Sequence, residues 1–319
     1  MDNQLYQELL TEIRKKFTKN SAMVNALADI LRIEKGAVYR RLRQEVPFTL
    51  NEIALIAKDL MISLDNVIGV EGQRSIPFQL NLPNFIFPQN ADYELLNVYL
   101  AFLRSINRSE NSEMASASNA LPYDLSFKFH NLILLCLFKW NFHYNSDKVI
   151  PYHQISVFPE MERLMTDCTL EMNHFGKTSY VLDNRIFRLI VDDIHYFNTI
   201  RLIEKDDIQK IKEDLFSLLD YLEKMALTGQ FQETGNLVNL YISDINITTS
   251  YAYLESENIR FSMIKTFILS SVNSTDEITF EKMKKWIYSL IKISTLITLT
   301  NERQRVLYFE KQRKIINEL

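Results

Sequence analysis

The chain has 319 residues, of which 47% are hydrophobic and 24% are charged, so it is long enough for two domains or for one large one with a full core. Its six glycines and seven prolines favour long regular elements and exclude Gly-rich or Pro-rich low-complexity tracts. The net charge of −4 excludes a uniformly basic nucleic-acid binder, but the first 70 residues carry a slight positive balance, whereas the remainder is acidic.

The N-terminal sequence MDNQLYQELL lacks the apolar run of a secretory signal. The most apolar stretch, LILLCLF at 132–138, is far too short to span a bilayer. Cys136 and Cys168 are isolated in sequence and match no metal-binding or redox spacing. We therefore expect a cytoplasmic protein with no membrane contact.

Five short helices are predicted within the first 70 residues. The first carries an apolar side chain at every fourth position from Leu5 to Phe17. The second begins at a cap formed by Asn20 or Ser21 and runs to about residue 31, and the third occupies about 34–44 before Pro47. The segment TLNE then predicts a capping box, in which Thr49 caps a fourth helix and Glu52 bonds back to it. Ser63 caps a last short turn.

The second and third helices are separated by only two or three residues, and their apolar positions follow a defined pattern. Ala28 is small where the two helices must touch, and Leu31, Ile33, Val38 and Leu42 occupy the other apolar positions. In these residues the segment 1–70 resembles the lambda-repressor-like (Cro-type) helix-turn-helix family. The resemblance implies a five-helix DNA-binding domain that places its third helix in the major groove of double-stranded DNA.

One residue departs from the family pattern. The tight turn usually holds Gly, because the turn requires a left-handed backbone conformation. This chain has Arg32 at that position, at a cost of about 1 kcal/mol in that conformation. We expect either a more open turn or a strained turn whose strain is absorbed by the core.

If Val38 and Leu42 face inward, the third helix presents a basic face outward. We expect DNA base contacts from Lys35, Gly36, Tyr39 and Arg40, and phosphate contacts from Asn20, Ser21, Arg41 and Arg43. Lys and Arg can donate to guanine O6 and N7, and the amides at the start of the second helix suit a phosphate. Two alternatives remain: an ordinary solvated face, and a protein-interaction scaffold whose helix-turn-helix fold does not bind DNA. The leading prediction is a sequence-specific transcription regulator.

Residues 71–90 are predicted to form an ordered apolar linker, and 91–319 a helical domain for dimerisation and sensing. The Ser- and Asn-rich segment at 105–122 predicts a mobile loop. Residues 123–145 are apolar nearly all round and predict a buried helix, although alternating aromatics leave a strand open. Pro159 is placed to begin another helix.

Apolar residues from Ile208 to Met225 follow a heptad spacing, which predicts a helix that serves either the core or a dimer contact. We expect a homodimer, with this helix as the first candidate for the contact and the C-terminal helices as the second. Segments rich in Tyr, Ile, Val and Thr at about 236–271 predict a three-stranded antiparallel meander. The predicted fold is therefore mainly α, with a small antiparallel sheet near the C-terminus.

No phosphate-binding loop, dinucleotide fingerprint, zinc-protease helix or nucleophile elbow occurs in the sequence. Asp192 and His195 fall on one helical face, but an exposed acid beside a half-buried imidazole is the simpler interpretation. We predict no catalytic residue, no metal site and no cofactor, and hence a protein that is not an enzyme. The sequence leaves open whether the larger domain binds a small-molecule effector.

Overall fold

The computed structural model describes residues 4–17, 19–60, 62, 64, 67, 79–106, 111–144, 149–266 and 268–319. The chain divides into two compact units. The smaller unit comprises Met1–Phe78 with Ser274–Phe280, and the larger unit comprises Gln79–Asn273 with Glu281–Leu319. Residues 79–90, which the sequence assigned to a linker, thus begin the larger unit.

The described part of the first 70 residues folds into a helical bundle with its own core. Its helices are α1 (Gln4–Lys15), α2 (Asn20–Leu31), α3 (Lys35–Leu42) and α4 (Leu50–Asp59). Leu10, Leu27, Val38 and Ile56 are fully buried at the centre, because their spacing places them on the inward face of each helix. The short fifth helix expected after Ser63 lies largely outside the described residues.

The two predicted helix caps have different outcomes. The capping box of α4 is confirmed, because the Glu52 amide donates to Thr49 Oγ1 and the Thr49 amide donates to the Glu52 carboxylate. The cap of α2 is Lys19 instead of Asn20 or Ser21, which form the first turn of the helix. The Lys19 side chain makes no capping hydrogen bond.

Eight further α-helices follow in the part of the chain that the structure describes. They are α5 (Asn90–Ile106), α6 (Tyr123–Ser126), α7 (His130–Tyr144), α8 (Pro159–Met172), α9 (Ile186–Thr199), α10 (Lys205–Thr228), α11 (Glu277–Ile293) and α12 (Glu302–Ile316). The buried helix predicted from the apolar run at 123–145 is confirmed as α6 and α7. Pro159 does begin α8, where its missing amide hydrogen leaves no helical bond unmade.

The larger unit is built on a mixed sheet of eight described strands. They are β1 (Gln79–Asn81), β2 (Glu113–Ser118), β3 (Lys177–Asp183), β4 (Leu237–Ser243), β5 (Tyr251–Glu255), β6 (Arg260–Thr266), β7 (Ser270–Ser274) and β8 (Thr295–Leu296). Their order is β1-β7-β6-β5-β2-β3-β4-β8, and β2, β3 and β4 are parallel. The protein therefore has an α/β fold, and the prediction of a mainly α fold is wrong.

The predicted meander at 236–271 is also wrong. Its first segment, β4, pairs in parallel with β3, whereas β5 pairs with β2 on the other side of the parallel strands. Only β5 and β6 form the expected antiparallel neighbours. The Tyr-, Ile-, Val- and Thr-rich composition of 236–271 correctly predicted extended strands in this segment. Their order in the sheet could not be predicted, because it depends on β2 and β3, which lie far away in sequence.

The segment expected to be a mobile loop contains a central strand of the sheet. β2 lies between β3 and β5 and is buried along five of its six residues. Its sequence, EMASAS, is rich in small side chains. Small residues suit a strand whose two faces are both covered, because they leave room for the elements that pack above and below.

Side-chain alternation along the central strands divides the neighbouring elements between two faces. On one face, Tyr288 of α11 donates a hydrogen bond of 2.9 Å to Glu113, and Lys284 forms an ion pair with Glu255. On the other, Ser116 of β2 borders a small cavity together with Met172 of α8. The sheet is thus covered on both sides, as in other α/β folds.

The heptad helix predicted from Ile208 to Met225 is confirmed as part of α10, but its seam lies in the core. Leu215, Leu218 and Met225 are completely buried, and α10 packs against α7 and α12 of the same chain. The apolar seam of α10 is therefore covered by helices of the same chain. It does not serve as the dimer contact that we expected first. None of the helices among the described residues is long and apolar enough to cross a membrane.

Candidate nucleic-acid interface

The turn between α2 and α3 keeps the tight form despite its unusual residue. Arg32 adopts a left-handed conformation with φ 52° and ψ 45°. The amide of Ile33 donates to the carbonyl of Ala28 at 3.1 Å, and the amide of Arg32 donates to that of Asp29 at 3.4 Å. This is the Schellman pattern of helix ends, which usually places Gly at the position of Arg32. The turn has not opened, so the strain remains in the folded chain.

The inward face of α3 is the one expected from the spacing of its apolar residues. Val38 is completely buried and Leu42 is 9% exposed. Both pack in the same core as Leu27 and Ala28 of α2. This packing fixes the rotation of α3 about its axis and so determines which side chains point outward.

The outward face of α3 holds the residues proposed for base contacts. Lys35, Gly36, Tyr39 and Arg40 are all exposed. An added Cβ at Gly36 would meet no described atom within 4 Å, which leaves the N-terminal turn of the helix open to close approach. These four residues therefore form one continuous surface, which we call the α3 face.

Arg40 of the α3 face and Arg43, which follows α3, form only weak ion pairs within the protein. Arg43 and Arg40 lie 3.3 and 3.6 Å from Glu45, and their side chains are 67% and 63% exposed. Exposed ion pairs of this kind contribute about 0–1 kcal/mol. Both guanidinium groups can therefore exchange Glu45 for another anion at little cost.

Arg41 differs from its neighbours because it is bound within the protein. Its guanidinium donates two hydrogen bonds to Glu52, at 2.7 and 3.1 Å, and both side chains are only 16% exposed. Burial alone would raise the pKa of Glu52, but hydrogen bonds from Arg41 and Thr49 outweigh it and lower that pKa. We therefore assign Arg41 to fastening α3 to α4, in place of the phosphate contact expected from the sequence.

A buried tyrosine adds a second fastening that the sequence patterns did not indicate. Tyr6 of α1 accepts a hydrogen bond of 3.0 Å from the Phe48 amide and lies 3.3 Å from the Arg41 carbonyl, to which it donates. Tyr6 also stacks on the Phe48 ring. The C-terminal end of α3 is thereby tied to α1 as well as to α4.

Asn20 and Ser21 are both exposed in the first turn of α2. That turn contains no acidic residue, so the partial positive charge of the helix N-terminus is not neutralised by its own side chains. The amides of such a turn can bind a phosphate oxygen.

Within the described residues, no group of three or more His, Cys, Asp or Glu side chains is placed to hold a metal ion. Asp192, one of the pair considered in the sequence, lies 3.7 Å from Arg188 one turn away. Comparison of the chain with protein-family models, curated proteins and solved structures finds no match. The resemblance of residues 1–70 to the helix-turn-helix family therefore depends on the residues and local geometry described above.

Proposed function

We propose that the protein is a sequence-specific DNA-binding regulator that reads double-stranded DNA with the α3 face. The proposal rests mainly on the exposed residues Lys35, Gly36, Tyr39 and Arg40 of α3. The rotation of this helix about its axis is fixed because Val38 and Leu42 are buried on its opposite face. A recognition helix needs that combination, because base contacts require side chains held in a constant register in the major groove.

The side chains have separate roles in this proposal. Lys35 and Arg40 donate to the acceptors of guanine in the major groove, Gly36 permits the approach, and Tyr39 packs against the sugar-phosphate backbone. Arg43 and the first turn of α2 at Asn20 and Ser21 hold phosphates on either side.

The test is selection of bound sequences from a random duplex library with the full chain, followed by gel shifts on the enriched sites. We expect enrichment of one motif, and a large loss of affinity in the double variant Arg40→Ala, Arg43→Ala. The double variant Arg14→Ala, Lys15→Ala is the charge-matched control, because both residues are exposed on α1. Failure to enrich any motif at low salt would refute the proposal.

That negative outcome would favour a protein-interaction scaffold. α4 offers an apolar surface for such a role, because Leu50 is 78% exposed and Leu55 is 47% exposed. The substitutions Leu50→Lys and Leu55→Lys, or Leu50→Glu and Leu55→Glu, would then abolish partner binding. The Arg40→Ala, Arg43→Ala variant would retain it.

We also propose that the protein acts in the cytoplasm as a homodimer. A single recognition helix contacts only a few base pairs, so proteins of this type usually pair two half-sites. Since the heptad seam is buried, the C-terminal helices become the better candidates for the contact; Trp286 and Ile293 of α11 are 52% and 56% exposed. Light scattering of the full chain at micromolar concentration checks the dimer, and a monomer mass would contradict it.

A further inference from the structure

The larger unit contains a cavity of about 490 Å³ beside the carboxyl end of β2. Asn119 and Ala120, which follow β2, form one wall, and the loop 248–250 before β5 forms another. In open α/β sheets, ligands bind outside the carboxyl ends of the parallel strands. α7 and α9 contribute a mostly apolar wall, which consists of Leu132, Leu135, Ile186, Leu189 and Ile190.

A buried lysine lies at the inner wall of this cavity. Lys265 of β6 has its ammonium nitrogen buried with no hydrogen-bond partner among the described residues. It lies 3.7 Å from the centre of the Tyr123 ring, a contact that offsets only part of the cost of burying a charge. Lys265 also lines two smaller cavities of about 30 and 200 Å³.

Each of the three cavities also contains a buried hydroxyl with no partner among the described residues. They are Thr266 in the largest, Ser116 in the smallest and Ser270 in the third. Buried polar groups in folded proteins are nearly always hydrogen-bonded. An ammonium group can only donate, so Lys265 requires an acceptor, and a hydroxyl such as that of Thr266 can donate to the same acceptor.

The acidic side chains near Lys265 are bound by other donors. Asp193 accepts from Lys139, and both side chains line the largest of the three cavities. Asp124, which lines the two smaller cavities, accepts from the Tyr180 hydroxyl. Lys139 thus has its own counter-ion on the cavity wall, and Lys265 is the cation that lacks a direct partner among the residues described there.

We infer that the cavity beside β2 binds a small organic carboxylate with an apolar body, and that Lys265 is its counter-ion. The carboxylate supplies the acceptor that Lys265 and Thr266 lack, and the apolar body packs along the α7 and α9 walls. A volume of about 490 Å³ lies within the usual range of ligand pockets, about 300–1,000 Å³. The inference concerns the larger unit alone and does not depend on DNA binding.

The titratable groups around Lys265 are consistent with this assignment. Burial lowers the pKa of Lys265, and the opposing effects of Asp124 and Cys136 do not restore it. Burial also raises the pKa of Cys136 to about 11, so this thiol is neutral at pH 7 and supplies no counter-charge. A bound carboxylate would favour the charged amine and so raise the pKa of Lys265 again.

The experiment measures binding of octanoate and hydrocinnamate to the full chain by calorimetry and by thermal shift. Octanamide and hydrocinnamide serve as neutral ligands of the same shape. Lys265→Met is compared with one control, Lys210→Met on the exposed surface of α10.

We expect the acids to bind the wild-type protein at least tenfold more tightly than the amides and to raise its melting temperature. Lys265→Met should melt at a higher temperature without ligand, because a buried unpaired amine is removed, and should lose at least tenfold in acid affinity. Lys210→Met should keep that affinity. The inference fails if the amides bind the wild-type protein as well as the acids, or if neither acid binds at millimolar concentration. Acid binding by Lys265→Met as tight as by the wild-type protein would also overturn it.

Discussion

Arg41 of α3 and Glu52 of α4 form a two-pronged ion pair, with nitrogen–oxygen distances of 2.7 and 3.1 Å. The same carboxylate accepts from the Thr49 amide at 2.8 Å, so one side chain closes the cap of α4 and fixes the preceding helix. Paired geometry of this kind is specific to the planar guanidinium group. The orientation of the α3 face therefore depends on a residue outside α3.

Removing either partner of this pair should destabilise the smaller unit. Arg41→Ala and Glu52→Ala each leave a partly buried charge without its counter-ion, and we expect a loss of roughly 2–3 kcal/mol. Hydrogen-exchange protection of α3 and α4 measures the change locally. Arg43→Ala is the control and should change protection by less than about 0.5 kcal/mol, because its ion pair is exposed. Equal effects of Arg41→Ala and Arg43→Ala would contradict the structural role of Arg41.

The same pair should make the stability of the smaller unit depend on acid pH. The pKa of Glu52 is lowered in the folded protein from its ordinary value of 4.5. Its contribution to stability is therefore fully present above that value and is lost as the pH falls through the lowered pKa. Exchange protection of α4 should drop below about pH 4.5 in the wild type, and Glu52→Gln should flatten that dependence. Glu45→Gln should leave it unchanged.

Arg40 and Arg43 should affect DNA binding in different ways if the proposed function is right. Arg40→Ala should weaken binding to the selected site by roughly 1–3 kcal/mol and relax the preference at one base pair. Arg43→Ala should weaken all duplexes similarly and reduce the salt slope by about one counterion. Titrations on selected and mismatched duplexes at several salt concentrations distinguish the two. Identical effects on specificity would show that the two roles are assigned wrongly.

The strained turn at Arg32 predicts a stabilising substitution. A side chain in the left-handed region costs about 1 kcal/mol, whereas Gly adopts that conformation freely. We expect Arg32→Gly to be about 1 kcal/mol more stable than Arg32→Ala, as measured by exchange protection of α2 and α3. A more stable Arg32→Ala variant would mean that the turn opens in solution.

Two glycines of the larger unit separate the effect of conformation from that of crowding. Gly229 and Gly235 both have positive φ, at 69° and 74°. An added Cβ at Gly229 would lie 2.8 Å from Leu299, whereas at Gly235 it would meet no described atom within 4 Å. We expect Gly235→Ala to cost about 1 kcal/mol and Gly229→Ala to cost slightly more, because the exposed end of the Leu299 side chain can turn away from the added Cβ. Urea unfolding followed by fluorescence tests this, since both tryptophans, at 140 and 286, lie in the larger unit.

Helices with a clear periodicity or cap were predictable in this chain. α4 follows from its TLNE segment, and α8 from Pro159. In each case the decisive interactions connect residues within one turn, so the local sequence contains them. The inward positions of Val38 and Leu42 followed from the same kind of spacing.

The strand order was not predictable because it depends on distant partners. Ser116 of β2 pairs with Tyr180 on one side and Ala252 on the other. A strand of Ser and Ala has little intrinsic preference for extended structure, and burial and pairing decide its conformation. The local composition therefore resembled that of a loop.

The candidate site was predictable in part for the same reason. The outward positions of Lys35 and Arg40 required only the spacing of one helix. The role of Arg41 required Glu52, which lies 11 residues away on another helix. The cavity around Lys265 requires residues from α7, α9, β6 and the segment that follows β2, and no sequence pattern brings these segments into contact.

The order of the strands also limits how the larger unit can fold during synthesis. β1 opens this unit, yet it pairs with β7, so that Gln79 lies opposite Asn273. β2 likewise pairs with β5, which follows it by more than a hundred residues, so this pairing cannot form until β5 has been synthesised. A nascent chain that ends before β5 would expose the edge of β2, and such open edges favour intermolecular pairing. High contact order of this kind slows folding, so the larger unit is expected to acquire its sheet only once nearly all of its chain has left the ribosome.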